Sequence, residues 1–350
     1  MSQPYHHDEI LTYLQKVLAI PSPSGYTELI MDYLRSELDQ LQLPYRFTNK
    51  GALIATVTGE NDREQRTFSA HVDTLGAMVK TIKAGGSLAL ELIGGYLLSG
   101  VEGANCTVVT GDGRSYSGTI HTLKPSVHIS GDEARELKRI PENMEVILDE
   151  RVATKAEVVA LGIEVGDYIW IDPRTTITGQ GFIKSRYLDD KASVAVLLYV
   201  LRYLTQNKLQ PLCTTNFYLS NFEEVGHGAS AGLPEKTKEF IAVDMGAPGL
   251  EQNSSEYAVC IAAKDSSGPY DYRLRQKLTT VCKDYQIPYR IDVYPHYSSD
   301  ASAVLRSGWD VQTALIGPGI FASHGYERTH LDSLLATIDL IVRYCTQVPI

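Results

Sequence analysis

The 350-residue sequence is poor in the features that define several large functional classes. It has five cysteines, Cys106, Cys213, Cys260, Cys282 and Cys345, an odd number with no Cys-x-x-Cys pair. That excludes a disulfide framework and a four-cysteine zinc site, and points to a reducing, cytoplasmic compartment. Cations are outnumbered: 32 Lys and Arg against 42 Asp and Glu give a formal net charge of −10. With no cationic excess to neutralise phosphates, neither a nucleic acid nor an anionic membrane is expected as a partner. Long hydrophobic runs are missing too. The most apolar stretch, Ala192 to Leu204, is interrupted by Arg202 and is too short to span a bilayer. The first residues, Met-Ser-Gln-Pro-Tyr-His-His, have neither a basic start nor an apolar core, so no secretory leader is expected. There is no internal repeat and no low-complexity segment.

What remains is an ordinary globular composition, 43% hydrophobic and 21% charged, in a chain too long for one usual core. Helical spacing of apolar residues covers Ile10–Leu18 and Tyr26–Leu41, broken by Pro21-Ser22-Pro23-Ser24-Gly25. Two strands follow, Leu53–Val57 and Thr67–Val72, with residues 59–66 read as a polar loop. Residues 77–174 differ. They are rich in Gly, Val, Ile and Thr in short alternating runs, with one charged turn near Asp132–Arg139, and read as an inserted β-rich domain. Afterwards helix and strand alternate. Helices are expected at Lys191–Thr205, Tyr270–Tyr285, Ala301–Arg306 and Leu331–Thr346. Strands are expected at Thr215–Asn221, Phe240–Asp244, Tyr257–Ala263, Tyr289–Tyr294 and Val311–Ile316. This predicts an α/β fold: a discontinuous catalytic domain, residues 1–76 plus 175–350, with a mixed sheet, helices on both faces and a small β-barrel-like domain inserted at 77–174.

Five clusters carry candidate chemistry, and each has a plain structural reading. His71-Val72-Asp73 ends an apolar strand, where residues two apart share a side, so the carboxylate could hold one imidazole nitrogen while the other faces a metal. Asp189-Asp190 precedes a helix; one Asp explains an N-cap, and the second is left over. Glu223-Glu224 follows an apolar strand, and burying both unpaired would be expensive. Asp244 ends a strand before Met245-Gly246. The segment His324-Gly325-Tyr326-Glu327-Arg328-Thr329-His330 precedes the last helix. Singly, a surface pair, a cap, a solvated loop and a turn account for them. Jointly, most fall after strands, where ligands gather in open α/β sheets, and two His with several carboxylates suit Zn, Co or Mn.

The order and local sequences resemble the M42 family of metallo-aminopeptidases, in the wider clan of two-metal exopeptidases. The likeness spans essentially the whole chain and rests on Ser69-Ala70-His71-Val72-Asp73, Leu188-Asp189-Asp190-Lys191, Glu223-Glu224-Val225-Gly226, Val243-Asp244, Ser299-Asp300-Ala301 and Thr329-His330. The resemblance implies two divalent metal ions per subunit, with Asp189 bridging, His71 and Asp244 on one and Glu224 and His330 on the other. It makes Glu223 the general base and acid, with Asp73 orienting His71. Asp300 and His324 are candidates for substrate binding. It also implies short peptide substrates and a homo-oligomer, often a dodecamer. Lys191 in place of the usual Arg, and the short Glu-Glu-Val-Gly-His-Gly turn, suggest a divergent branch. Two other readings stand beside a metal-dependent aminopeptidase: an amidohydrolase or deacylase acting on an acylated amino acid, and a non-catalytic binding protein on the same fold.

Overall fold

The computed structural model describes residues 5–350; the reading of the N-terminus as lacking a leader falls partly on residues 1–4, outside them. Two compact units form, the residues up to Asp73 with Arg174–Ile350, and Thr74–Pro173.

The larger unit is built on a nine-stranded sheet. Its middle runs Leu53–Val57, Cys213–Ser220, Asn61–His71, Thr237–Val243, Gln312–Pro318, Val259–Asp265. The four strands from Cys213–Ser220 to Gln312–Pro318 are mutually parallel, while the flanking ones run antiparallel. Parallel strands are covered on both faces, which explains why Cys213–Ser220 is buried at every position, its polar residues Thr214, Thr215, Asn216 and Ser220 included. On one face Tyr218, Phe240, Ala242 and Leu315 pack with Ala301 and Val304 of the helix Asp300–Arg306. Against the sheet also lie the helices Leu188–Gln206 and Leu331–Gln347, whose apolar residues from Ala192 to Leu201 and from Leu334 to Cys345 are almost all buried. Among the described residues no helix is long and apolar enough to cross a membrane.

One expectation changes. Residues 61–66 of the segment read as a polar loop, 59–66, open the strand Asn61–His71, with Asn61 opposite Cys213 and Gln65 opposite Thr237. The ladder needs only backbone groups, so the side chains of residues 61–64 stay exposed without breaking it, while Arg66 is buried against Glu239.

The smaller unit is a closed six-stranded barrel of Gly76–Ile82, Leu88–Ile93, Met144–Leu148, Ser115–Thr122, Asn105–Val109 and Tyr168–Ile171, paired antiparallel. Val79, Leu90, Val108, Ile120, Val146 and Ile169 are buried in it. Gly118 is required where strands approach closely: a Cβ there would sit 2.6 Å from the Ile147 carbonyl oxygen.

Candidate metal and active site

The parallel strands end together, and the chemistry-bearing residues leave from those ends. His71 is the last residue of its strand, Asp244 directly follows Val243, and Glu223-Glu224 sit three residues past Ser220 on a short turn. Asp189 enters from the turn before the buried helix, where its own φ/ψ (−78°, 104°) and those of Asp190 are not helical. Neither aspartate caps that helix. The Asp189 carboxylate points into the cluster instead, and Asp190 Oδ2 accepts the His71 N–H at 3.1 Å.

His71, Asp189 and Asp244 each offer a ligand atom, and the three atoms lie within 4.8 Å of one another. His71 Nε2 is 3.3 Å from Asp189 Oδ1 and 3.8 Å from Glu223 Oε2. On the other side of Asp189, His324 Nε2 is 3.5 Å from its Oδ2 and 3.4 Å from Glu224 Oε2. Asp189 therefore stands between two groups of donors.

The supports are explicit. His71 Nδ1 lies 2.9 Å from the backbone carbonyl of Asp73, with the Asp73 carboxylate farther off at 3.6 Å. The carbonyl, rather than the carboxylate expected from the sequence, is the nearer partner. The carboxylate is fully buried and accepts the backbone N–H groups of Glu223 (3.0 Å) and Glu224 (3.3 Å) and the Ser24 hydroxyl. Asp73 thus holds the turn that presents both glutamates. Asp300 holds the same loop from behind: its oxygens accept from Ser220 Oγ (2.6 Å) and the Ala229 N–H (2.8 Å). It does not line the cleft. Lys50 ties the loop a third time through the carbonyls of His227 and Gly228, both at 2.6 Å.

His330 is not brought to the cluster. It caps the last helix, its Nδ1 accepting the Asp332 N–H at 3.1 Å and its Nε2–H donating to the Gln180 carbonyl at 2.7 Å. Both ring nitrogens are spent. His324, six residues earlier, occupies the place beside Glu224. Glu327 was given no role from the sequence. It is 1% exposed, and its oxygens accept the backbone N–H groups of Asp189 and His324, each at 3.1 Å. Its position three residues after His324 was the available signal.

The electrostatics are those of an anionic cavity. Burial, added to by the facing carboxylates, raises Glu223, Glu224, Asp190 and Glu327 well above the usual carboxylate range, and Asp244 to about 7. Asp189 goes the other way: burial would raise it, but hydrogen bonding to His71 and the nearby His324 outweigh that. Burial alone would lower His71, yet Asp189, Glu223, Asp190 and Asp244 hold its imidazolium well above the ordinary histidine value. Asp190 Oδ1 and Glu224 Oε1 are buried without a hydrogen-bond partner. Orphaned carboxylate oxygens in a crowd of like charges are what a divalent cation would satisfy, so the residues fit one. The cluster floors a cleft of about 670 Å³, and Glu223, with a side chain 13% exposed, is open to it.

Known proteins place the chain in a family. The family model described as M42 glutamyl aminopeptidase matches residues 51–340. A Bacillus subtilis (strain 168) protein named "Putative aminopeptidase YhfE" is 46% identical over 331 residues, 95% of each chain. A glutamyl aminopeptidase of Lactococcus lactis is 26% identical over 67% of this chain and 66% of its own. The TET1 peptidase of Pyrococcus horikoshii superposes with a TM-score of 0.84 at 24% identity, covering 97% of this chain and 100% of that one. The chain belongs to the M42 family of aminopeptidases, which are peptide hydrolases.

Proposed function

We propose that the chain is a metal-dependent aminopeptidase releasing the N-terminal residue of short peptides. The observation that carries this is the set of buried carboxylates, two of them with unsatisfied oxygens, together with buried His71 and part-exposed His324 on the floor of an open cleft, with Glu223 facing in. His71 and Asp244 would hold one divalent ion, Glu224 and His324 a second, and Asp189 would be shared. Zn, Co and Mn all suit such donors. His324 takes the position that the sequence reading gave to His330, because both nitrogens of His330 are engaged elsewhere.

Bound ions would supply Lewis-acid polarisation of the scissile carbonyl and a lowered water pKa. The protein's own part is proton movement and orientation. Glu223 takes a proton from the attacking water and returns it to the leaving amine. Asp73 fixes its backbone, and Glu327 fixes those of Asp189 and His324. The carboxylate-lined floor suits a substrate ammonium group. It is unfavourable to the free carboxylate of an acylated amino acid, for which no Lys or Arg lines the cleft among the described residues. That favours the aminopeptidase over the deacylase. We extend the proposal to a homo-oligomer, since the P. horikoshii TET1 peptidase is described as assembling into a tetrahedron or an octahedral shell. Light scattering giving a monomer would refute that part.

The test is turnover of aminoacyl-nitroanilides against N-acetylated amino acids, with and without added Zn, Co or Mn. Free-amine substrates should be cleaved, and chelation should stop it. Glu223→Gln should lose about 10²–10⁴-fold in kcat while still binding metal. Cleavage of only the blocked substrates would favour the deacylase, and metal binding with no turnover of either the binding protein.

A further inference from the structure

We infer that the cleft selects an uncharged, aliphatic side chain at the substrate's N-terminal residue, such as leucine or methionine, and discriminates against glutamate and aspartate. The inference rests on the aminopeptidase reading and adds to it the substrate class. It also departs from the glutamyl preference in the family model's description.

Away from the carboxylate floor, the cleft is walled by Met245, Pro248 and Ile320 and by the rings of Tyr294 and Tyr297. The polar tips of the tyrosines are committed elsewhere. Tyr297 Oη donates to the Met245 carbonyl at 3.0 Å, and Tyr294 Oη shares a hydrogen bond with Ser254 Oγ at 2.7 Å. The two rings pack edge to face, with centroids 5.3 Å apart. Gln252 also lines the cleft, but its amide nitrogen donates to Asp292 Oδ1 and the Val293 carbonyl, each at 3.1 Å. Beside Ser298, Ser323 and the exposed His296, the walls therefore offer mainly ring faces and methyl groups. An acidic side chain would lose its hydration there with no Lys or Arg to replace it, and any cations held on the floor would already be offset by the carboxylates of Asp189, Glu223, Glu224 and Asp244. A lysine side chain would gain no carboxylate on these walls, since the four on the floor are needed by the metals and the substrate amine.

A hydrophobic pocket rejects a charged side chain far more strongly than it ranks aliphatic ones. With metal-loaded protein at pH 8, kcat/KM for leucyl- and methionyl-nitroanilide should exceed that for the glutamyl and lysyl analogues by at least about 30-fold. Gly249 supplies the converse. It lies on the cleft rim, its φ is not positive, and a Cβ there meets only Gln252 Cγ at 3.7 Å, so a long side chain can be installed. Gly249→Arg should raise the glutamyl-to-leucyl ratio at least about tenfold by adding the missing cation. Glutamyl or lysyl substrate turned over as well as leucyl would overturn the inference. If no nitroanilide is hydrolysed, the aminopeptidase reading fails by itself. Calorimetry with leucine and glutamic acid hydroxamates then still reads the pocket: tighter leucine hydroxamate supports the selection, and equal or tighter glutamic acid hydroxamate removes it.

Discussion

The parallel strand Thr237–Val243 has a buried carboxylate toward each end, Glu239 and the directly following Asp244, and the two ends treat them differently. Toward the amino end, Glu239 is fully buried and compensated. Arg66 Nε reaches one oxygen at 2.9 Å, Lys277 Nζ the other at 2.9 Å, and the Tyr344 hydroxyl adds a third contact at 3.1 Å. Arg66 is saturated in turn by the carbonyls of Tyr344 and Val348 and lies 4.0 Å over the Tyr344 ring. At the carboxyl end, Asp189, Asp190, Glu223, Glu224 and Asp244 crowd together with no Lys or Arg among the cleft-lining residues and two orphaned oxygens. A buried charge persists where something offsets it. The protein supplies the offset for Glu239, whereas the other end has a donor set that fits a divalent cation.

The predictions probe that contrast from the larger effect to the smaller. Arg66→Met should destabilise the fold by about 3–5 kcal/mol, because Glu239 loses its closest partner in a dry site; urea unfolding measures it, and metal stoichiometry should not change. At the other end, His324→Ala should weaken binding of the second zinc by about 10–100-fold, read by competition with a chelator. His330→Ala should leave zinc binding intact and cost the helix cap and the hydrogen bond to the Gln180 carbonyl, about 1–2 kcal/mol. Equal losses of zinc in the two variants would reverse the assignment of the tail histidines.

Removing charge should have opposite signs at the two ends. Asp244→Asn at pH 8 should stabilise the metal-free protein by on the order of 1–2 kcal/mol, since a buried like charge disappears, yet weaken metal binding. The pH dependence follows the same logic. Asp244 has a folded value of about 7, above its unfolded one, so the folded state holds the extra proton between about pH 4 and 7. Its stabilising contribution is present at the acid end of that window and lost as pH rises through it. His71, raised as well, acts in the same direction, while Asp189, lowered from the ordinary aspartate value, titrates below this window. Melting of the metal-free protein should therefore fall as pH climbs from 5 to 8. Metal affinity should rise over that range, because bound cations displace those protons.

Much of this was legible in the sequence because the parallel strands close on short runs such as Phe217-Tyr218-Leu219 and Phe240-Ile241-Ala242-Val243 and then stop at polar residues. His71, Asp244 and the Glu223-Glu224 pair stand at those stops. The two tail histidines were not separable by spacing. What separates them is register. The strand Glu327–His330 pairs antiparallel with Phe182–Ser185, His330 opposite Phe182, and this carries His330 away from the sheet end. His324, in a left-handed conformation at φ 62°, stays in the loop that folds back over it. The roles of Glu327 and Asp300 were hidden for a related reason. Glu327 accepts the N–H of Asp189 and Asp300 the Ser220 hydroxyl and Ala229 N–H, long-range contacts that no local pattern announces. Residues 61–66 were misread because a strand defined by its partners' backbones does not require apolar side chains at its outer end.

The central claim is that the carboxyl-end cluster is a cation site. Metal-free protein dialysed against micromolar zinc and then analysed for metal tests it most directly. The account predicts about two zinc ions per chain in the native protein and a clear deficit in Asp189→Asn. Zinc content near zero in the native chain, or unchanged in that variant, would contradict it.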